Sequence, residues 1–404
     1  MRVTHVITRL IVGGAQENTI ASVLGLRAKP GMDVNLVAGP TQGREGSLQA
    51  LVANEPGLLV LIPSLVRPIR PWSDWVAYRS LVQYLRSRRP LLVHTHSGKA
   101  GVLGRLAAHR AQVPLVVHSI HGPSFGDFQG PMANWMFTRA ERVAGGYTTH
   151  FVVVADAMKQ QYLKANIGSS ERYTRIFSGF RLEPFLEARR DPSFRRELGI
   201  AEDDFVVGKV ARLFELKGHE ELLAAAPTLI RQCPRIKFLF VGDGPWRERL
   251  ENETARSELM GHFIFTGLIP PEAVPQHLAC MDVLVHLSRR EGLARVLPQA
   301  LAAGIPVVAA DRDGAGEVCL DDRSGYLVRP GDDELLINRL LRLAASPILR
   351  RQLGDFGRAF VKERFALDRL VEDQWFLYRR LADEAGLTGA TDERPNANPA
   401  ITIG

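Results

Sequence analysis

A chain of 404 residues, 46% apolar and 24% charged, is too long for one ordinary core and too polar to span a membrane, so two globular domains of roughly 150–200 residues each are expected. Its three cysteines, Cys233, Cys280 and Cys319, are widely spaced, which excludes a disulfide framework and a thiolate metal site and fits a reducing compartment. The net charge of +7 suits anionic phosphates, nucleic acid or an acidic membrane surface and selects none of them.

The opening "MRVTHVITRLIVGG" reads as a strand running into a glycine pair, without the basic region, apolar stretch and cleavage site of a signal peptide. No segment approaches ~18 uninterrupted apolar residues, so no transmembrane helix is expected and the expected location is the cytoplasm. Short apolar strands then alternate with helix-length segments: "RVTHVIT", "DVNLVAG", "LLVLIP", "LLVHTH", "PLVVHSI" and "HFVVVA". This is the pattern of a parallel sheet covered by helices. A second series follows from "DFVVGKVARL" through "KFLFVGDG", "HFIFTG", "DVLVHL" and "IPVVAA". Between the two lies the charged, turn-rich "FSGFRLEPFLEARRDPSFRRELGI". The expected division is therefore 1–185 for a first Rossmann-like domain, 186–365 for a second, 366–385 for a C-terminal helix and 386–404 for a tail without apolar periodicity, read as disordered. The fold class is α/β, two doubly wound domains. Ligands of such sheets bind beyond the carboxyl ends of the strands, so two domains facing across a cleft would surround one site.

The densest basic stretch is "RPIRPWSDWVAYRSLVQYLRSRRP", in which Arg67, Arg70, Arg79, Arg86, Arg88 and Arg89 stand against Asp74 alone. Two readings are open. One is a surface helix with solvated arginines and inward aromatics; the other sets Trp72, Trp75, Tyr78 and Tyr84 beside the arginines on anionic lipid headgroups. The arginines interleave with sheet-covering helices and no nucleic-acid reader motif is present, so no nucleic-acid partner is expected.

The strand-end loops carry the chemistry. In "RLIVGGAQEN", Gly13 and Gly14 let helix N-terminal amides approach an anion, or simply make a tight turn. His94 and His96, with His118 and His121, come from neighbouring strand ends; His-X-His points two rings to one side, but no acid follows nearby and no metal is expected. Ser97 and Lys99 follow in the next loop, with structural and cleft-facing roles both open. In "ARLFELKGHEELL", Arg212 ends a strand and Lys217 precedes a helix, either as solvated surface or as a diphosphate clamp. In "VGDGPWRERL", Gly242 and Gly244 turn tightly between strand and helix, a structural role first, with Gly242 counted on the donor side. In "HLSRREGLARVLPQALAAG", Glu291 precedes an apolar helix that the amides of Leu293, Ala294, Arg295 and Val296 open. Gln299 stands eight positions after Glu291, which at ~3.6 residues per turn puts both side chains on one side of a helix. The carboxylate would repel phosphate but accept from sugar hydroxyls while amides hold phosphates, a division of labour that suits a nucleotide sugar.

Taken in order, "GGAQ", "VHTHSGKAGVLGRLAA", "HSIHG", "VARLFELKG", "FVGDGP", "FTGLIP", "HLSRREGLARVLPQALAAGIPVVAAD", "GAGEV" and "GYLVRPGD" resemble a retaining glycosyltransferase of the GT-B fold, family 4 type, over nearly the whole chain. The resemblance implies metal-independent, cofactor-free transfer of a sugar from a nucleotide diphosphate, with a C-terminal helix, here "FALDRLVEDQWFLYRRLA", crossing back onto the first domain. Position by position, Gly14 matches the glycine facing the donor diphosphate, Arg212 and Lys217 its clamp, Glu291 the acid on the donor sugar, and His121 a histidine near that sugar. Ile269, in "FTGLIP", falls where backbone contacts set the base. Gln299 departs from the pattern, which usually has a second glutamate there for the ribose hydroxyls; an amide keeps one acceptor and adds a donor, but forgoes charge-assisted bonding.

The expected function is a hexosyltransferase that takes a UDP-sugar by default and acts on a glycan or lipid-linked acceptor of cell-envelope or exopolysaccharide synthesis, in the cytoplasm or peripherally on the inner face of the membrane. Two alternatives stand beside it: a sugar-nucleotide 2-epimerase on the same fold, and a non-catalytic nucleotide-sugar-binding protein, for which Gln299 is the main argument.

Overall fold

Stretches rich in Val, Ile, Leu and Phe form short buried strands, because a parallel sheet covered on both faces needs near-continuous apolar runs. The computed structural model describes residues 1–41, 46–126, 128–256 and 259–387; residues 388–404, most of the expected disordered tail, lie outside the described residues. The first series comprises β1 (Arg2–Ile7), β2 (Asp33–Ala38), β3 (Leu59–Leu61), β4 (Leu92–His96), β5 (Leu115–Ile120), β6 (His150–Val153) and β7 (Tyr173–Arg175). Its helices are α1 (Gly14–Arg27), α2 (Ala50–Ala53), α3 (Pro71–Arg88), α4 (Gly98–Arg110), α5 (Pro131–Gly146), α6 (Asp156–Lys164), α7 (Glu183–Leu186) and α8 (Pro192–Glu197). The second series comprises β8 (Phe205–Val210), β9 (Ile236–Val241), β10 (Phe263–Gly267), β11 (Val283–His286), β12 (Val307–Ala310) and β13 (Gly325–Val328). With it go α9 (His219–Gln232), α10 (Arg247–Arg256), α11 (Val274–Ala279), α12 (Val296–Ala302), α13 (Asp333–Ala345), α14 (Pro347–Arg364) and α15 (Leu367–Glu384).

The strand orders are β3-β2-β1-β4-β5-β6-β7 and β10-β9-β8-β11-β12-β13. In the first, β1 pairs in parallel with β2 and β4, setting His5 beside His94; in the second, β8 pairs in parallel with β9 and β11, setting Val207 beside Val283. The order reverses between β1 and β4 and again between β8 and β11. Diverging helices leave a crevice beyond the carboxyl ends at such a switch point, which is where doubly wound sheets take ligands. The edge strands β7 and β13 are the ones the apolar pattern missed, since Tyr-Thr-Arg is too polar and short and Gly325 opens the other.

Among the described residues, the chain packs as two compact units interleaved in sequence: residues 1–119, 139–151 and 371 onward, and residues 120–138 and 152–370. The single cut near residue 185 that the linker composition suggested is a linear division of a packing that is not linear. The first unit's core gathers Val6, Val37, Val93 and Val116 under Leu81 and Leu85 of α3 and Ala100 and Ala107 of α4. From Val371 onward α15 belongs to this unit, and a Cβ on Gly25 of α1 would lie 2.3 Å from Val371 Cγ2, so the glycine admits that helix. A fully buried ion pair joins Arg105 of α4 to Glu141 of α5 at 2.6 Å. The second unit's core sets Phe205, Val207, Phe238, Phe240, Val283 and Val285 against Leu222, Ala226 and Leu229 of α9. Asp332 and Ser346 cap α13 and α14, accepting from the amides of Leu335 (3.0 Å) and Leu349 (3.2 Å), a contribution of about 1 kcal/mol each.

Candidate functional site

In the second unit the loops after β8 and β11 meet at the switch point. Lys217, just before α9, is ion-paired with Glu291 from the loop after β11, and both side chains are partly solvent-reachable. The backbone brings them there. The Arg289 amide donates to Leu216 O (2.8 Å), and the Ser288 hydroxyl lies within reach of Leu216 O, Arg290 O and Glu291 Oε1. Gly218 has φ +69° and a Cβ there would sit 2.2 Å from Leu287 O, so only glycine lets the two loops close together. Arg212 lies at the mouth of the same loop, exposed, with its guanidinium 5.4 Å from the Phe214 ring centroid.

Glu291 is aimed from behind as well. Its amide donates to Asp313 Oδ2 (2.8 Å), a carboxylate whose pKa burial raises above the ordinary value. Arg290 donates to Pro123 O (2.8 Å) and stacks over Phe128, while a Cβ on Gly292 would be 2.1 Å from His121 O. His121 thus sits against the Glu291 loop, and burial lowers its pKa to about 4, leaving a neutral imidazole near pH 7. Gly242 (φ +136°) lies against Ala211 O, which a Cβ would approach to 2.2 Å, so it supports the Arg212 loop. Ile269 is half-buried beyond β10.

One element of the sequence reading is corrected. The helix opens at Val296 with Arg295 as its N-cap, and Leu293 and Ala294 are buried in the loop before it. Glu291 therefore lies outside the helix, and its spacing to the half-buried Gln299 does not measure a shared helix face. Gly292 allows the chain to turn close under His121 before the helix begins, and apolar periodicity does not register such a detour.

The apolar strand β8 hides a residue that sequence reasoning passed over. Lys209 is 2% exposed, its Nζ has no hydrogen-bond partner, and burial pushes its pKa down to about 7. Its charge is felt by Glu221, Lys217, His219 and His286. His219 donates from Nε2 to Arg212 O (3.1 Å) and stays neutral, its pKa lowered to about 3 by burial. The available signals were a lysine inside "VVGKV" and the histidine directly after "LKG".

In the first unit Gly14 opens α1 and Gly13 is its N-cap, with the Glu17 amide closing onto Gly13 O (2.9 Å). Ser97 is the N-cap of α4, and Lys99, inside that helix, is held by Asp74 and Pro68 O. The His-X-His pair does share a side of β4, but the residues completing the group are His5 and Tyr378, while His118 turns to Thr95 Oγ1 (2.9 Å). Nitrogens of His5, His94 and His96 lie within 4.8 Å of one another, a spacing that could hold a metal ion. They already form a hydrogen-bonded chain: Ser119 Oγ to His94 (2.7 Å), His94 to Tyr378 OH, Tyr378 to His5 (3.4 Å) and His5 to His96 (2.9 Å). That chain ties α15 to β1 and β4.

Two family models cover most of the chain: "Glycosyl transferase 4-like domain" over residues 13–177 and "Glycosyl transferases group 1" over residues 191–360. A Mycolicibacterium smegmatis GDP-mannose-dependent alpha-(1-6)-phosphatidylinositol monomannoside mannosyltransferase is 31% identical over 267 residues, 64% of this chain and 68% of the relative. The chain belongs to the group 1 glycosyltransferases. An Escherichia coli UDP-Gal:alpha-D-GlcNAc-diphosphoundecaprenol alpha-1,3-galactosyltransferase is 27% identical over 86% of this glycosyltransferase and 89% of its own length. The crystal structure of Anabaena Alr3699/HepE in complex with UDP shares the GT-B fold with a TM-score of 0.78, at 22% identity over 94% of this chain and 100% of that one.

Proposed function

We propose that this glycosyltransferase moves a hexosyl residue from a UDP-sugar, with retention and without a metal, to a glycan or lipid-linked acceptor of cell-envelope or exopolysaccharide synthesis, working in the cytoplasm at the inner face of a membrane. The observation that carries the reading is the Lys217–Glu291 pair, set at the carboxyl ends of β8 and β11 beside Arg212. The donor diphosphate displaces Glu291 from Lys217 and lies against Lys217 and Arg212. The released carboxylate then accepts from the sugar hydroxyls. As the anomeric bond breaks, negative charge grows on the leaving diphosphate, and fixed cations aimed there stabilise the transition state more than the ground state. The positive charge a metal would otherwise supply comes from these two side chains. The acceptor oxygen attacks from the face the diphosphate leaves, and the diphosphate takes the acceptor's proton. His121, neutral through burial, hydrogen-bonds the donor sugar.

The UDP assignment is supported by the donor named for the Escherichia coli relative and by the HepE structure with UDP-glucose, and that relative's diphosphoundecaprenol acceptor supports a lipid-linked one. A thermal-shift panel of UDP-, GDP- and ADP-sugars tests the reading, since a ligand at ~100 times its Kd stabilises by about 2.7 kcal/mol. A UDP-sugar is expected to give the largest shift; a panel without any shift would overturn the proposal. Nucleoside diphosphate release that depends on acceptor separates transfer from epimerisation and from binding alone.

A further inference from the structure

The loops of the second unit's site rest on a buried polar cluster that the proposed transfer does not use. Lys209 lies on β8, the strand that leads into the Arg212 loop, and it is buried although lysine is almost never fully buried without a partner. Four side-chain atoms of this region are buried and make no hydrogen bond among the described residues: Lys209 Nζ, His219 Nδ1, Glu221 Oε2 and His286 Nε2. They come from β8, the first turn of α9 and the end of β11. Each such unpaired atom costs stability, so four within reach of one charge call for a function.

The same residues hold the site loops. His219 donates from Nε2 to Arg212 O (3.1 Å), which leaves its Nδ1 an acceptor. Glu221 accepts from Arg289 Nε and Nη2 through its other oxygen (2.9 and 2.7 Å), and the Arg289 amide donates to Leu216 O (2.8 Å), next to Lys217. The titratable groups in reach of Lys209 are thus His219 and Glu221 from α9, Lys217 from the loop before it and His286 from β11. From β9 the apolar Phe240 stands opposite Lys209 in register.

Burial and the Lys217 cation both disfavour a charge on Lys209, and Glu221 favours one; the balance puts its pKa at about 7. A diphosphate at Lys217 and Arg212 would tip that balance, because roughly two negative charges would arrive at the end of the strand that carries Lys209, and a low-dielectric interior transmits their field. We infer that Lys209 is a reserve cation of the donor site: it takes a proton from solvent as the diphosphate binds, and its ammonium then steadies the anionic charge from beneath the Lys217 and Arg212 loops. The proton adds to the lone pair of Nζ, and no other bond changes. Lys209 touches no reacting atom and acts through its field alone. The inference rests on the proposal that Lys217 and Arg212 take the donor diphosphate.

Calorimetric titration with UDP at pH ~8, repeated in buffers of differing ionisation enthalpy, tests it; the terminal phosphate of UDP, with a pKa near ~6, is already ionised there. The wild-type protein is expected to take up between about half a proton and one proton per UDP, and its affinity to fall by up to about tenfold per pH unit from pH ~7 to pH ~9. Lys209→Met is expected to bind UDP without that uptake and with an affinity that stays level over the same range. A purely structural lysine would change affinity in the variant but not the proton count, and the wild-type count stands by itself should the variant not fold. UDP binding without proton uptake, or uptake that persists in Lys209→Met, would overturn the inference and leave the donor site standing. A wild-type protein that does not bind UDP would overturn the donor assignment, and the inference with it.

Discussion

Two of the molecule's Lys/Arg–Glu ion pairs, Arg105–Glu141 and Lys217–Glu291, have surroundings that give them opposite work. Arg105 and Glu141 are fully buried between α4 and α5, whereas Lys217 and Glu291 keep side-chain exposures of 24% and 30% at the ends of two strands. A buried pair cannot exchange partners without stranding a charge, so it specifies how two helices meet. A half-exposed pair can, because water or a ligand takes either partner at little cost. Burial of the pair, more than its distance, separates a structural charge from a chemical one.

Arg105→Met should show the largest stability effect, about 3–5 kcal/mol in a denaturant titration, because Glu141 would remain buried without its cation. A small loss would place Glu141 in water and break the comparison. Acid comes next. His5, His121 and His219 are held neutral, with pKa values lowered by burial to about 3, 4 and 3. Their unfolded forms take up protons near pH ~6.5, so their contribution to stability is complete above that value and is lost as pH falls towards ~4. Thermal midpoints measured from pH 7 downward should drop through that window, and a flat profile would contradict the burial. Lys209 acts in the opposite range. With a folded pKa of about 7 and an unfolded value near ~10.4, it makes stability rise with pH between the two, and Lys209→Met should flatten that rise. At the small end, Lys217→Ala should change stability by no more than about 1 kcal/mol, as expected for a solvent-reachable pair. Gln299→Glu should strengthen donor binding several-fold, because a carboxylate there would accept charge-assisted hydrogen bonds from the ribose hydroxyls, and isothermal titration reads that directly.

Much of the fold was legible because buried parallel strands are apolar in sequence. Runs such as "LLVHTH" and "DVLVHL" announce β4 and β11 within a residue or two. The site loops were legible too, since Lys217 and Glu291 follow strands whose ends lie side by side in a doubly wound sheet. Other features depend on distant residues. Nothing near His94 says that His5 and Tyr378 complete its network, because that group is assembled by register across β1 and β4 and by a helix from the far end of the chain. The late start of α12 is set by Gly292 passing under His121 O. The outward Met132 and Trp135 look, in sequence, like ordinary core residues of an amphipathic helix.

The central claim is that Lys217 binds and stabilises the donor diphosphate, and its most direct test is nucleoside diphosphate release by Lys217→Ala with saturating donor and acceptor. The account predicts a loss of roughly 10²–10³ in turnover with the thermal midpoint almost unchanged. Wild-type turnover in that variant would contradict it.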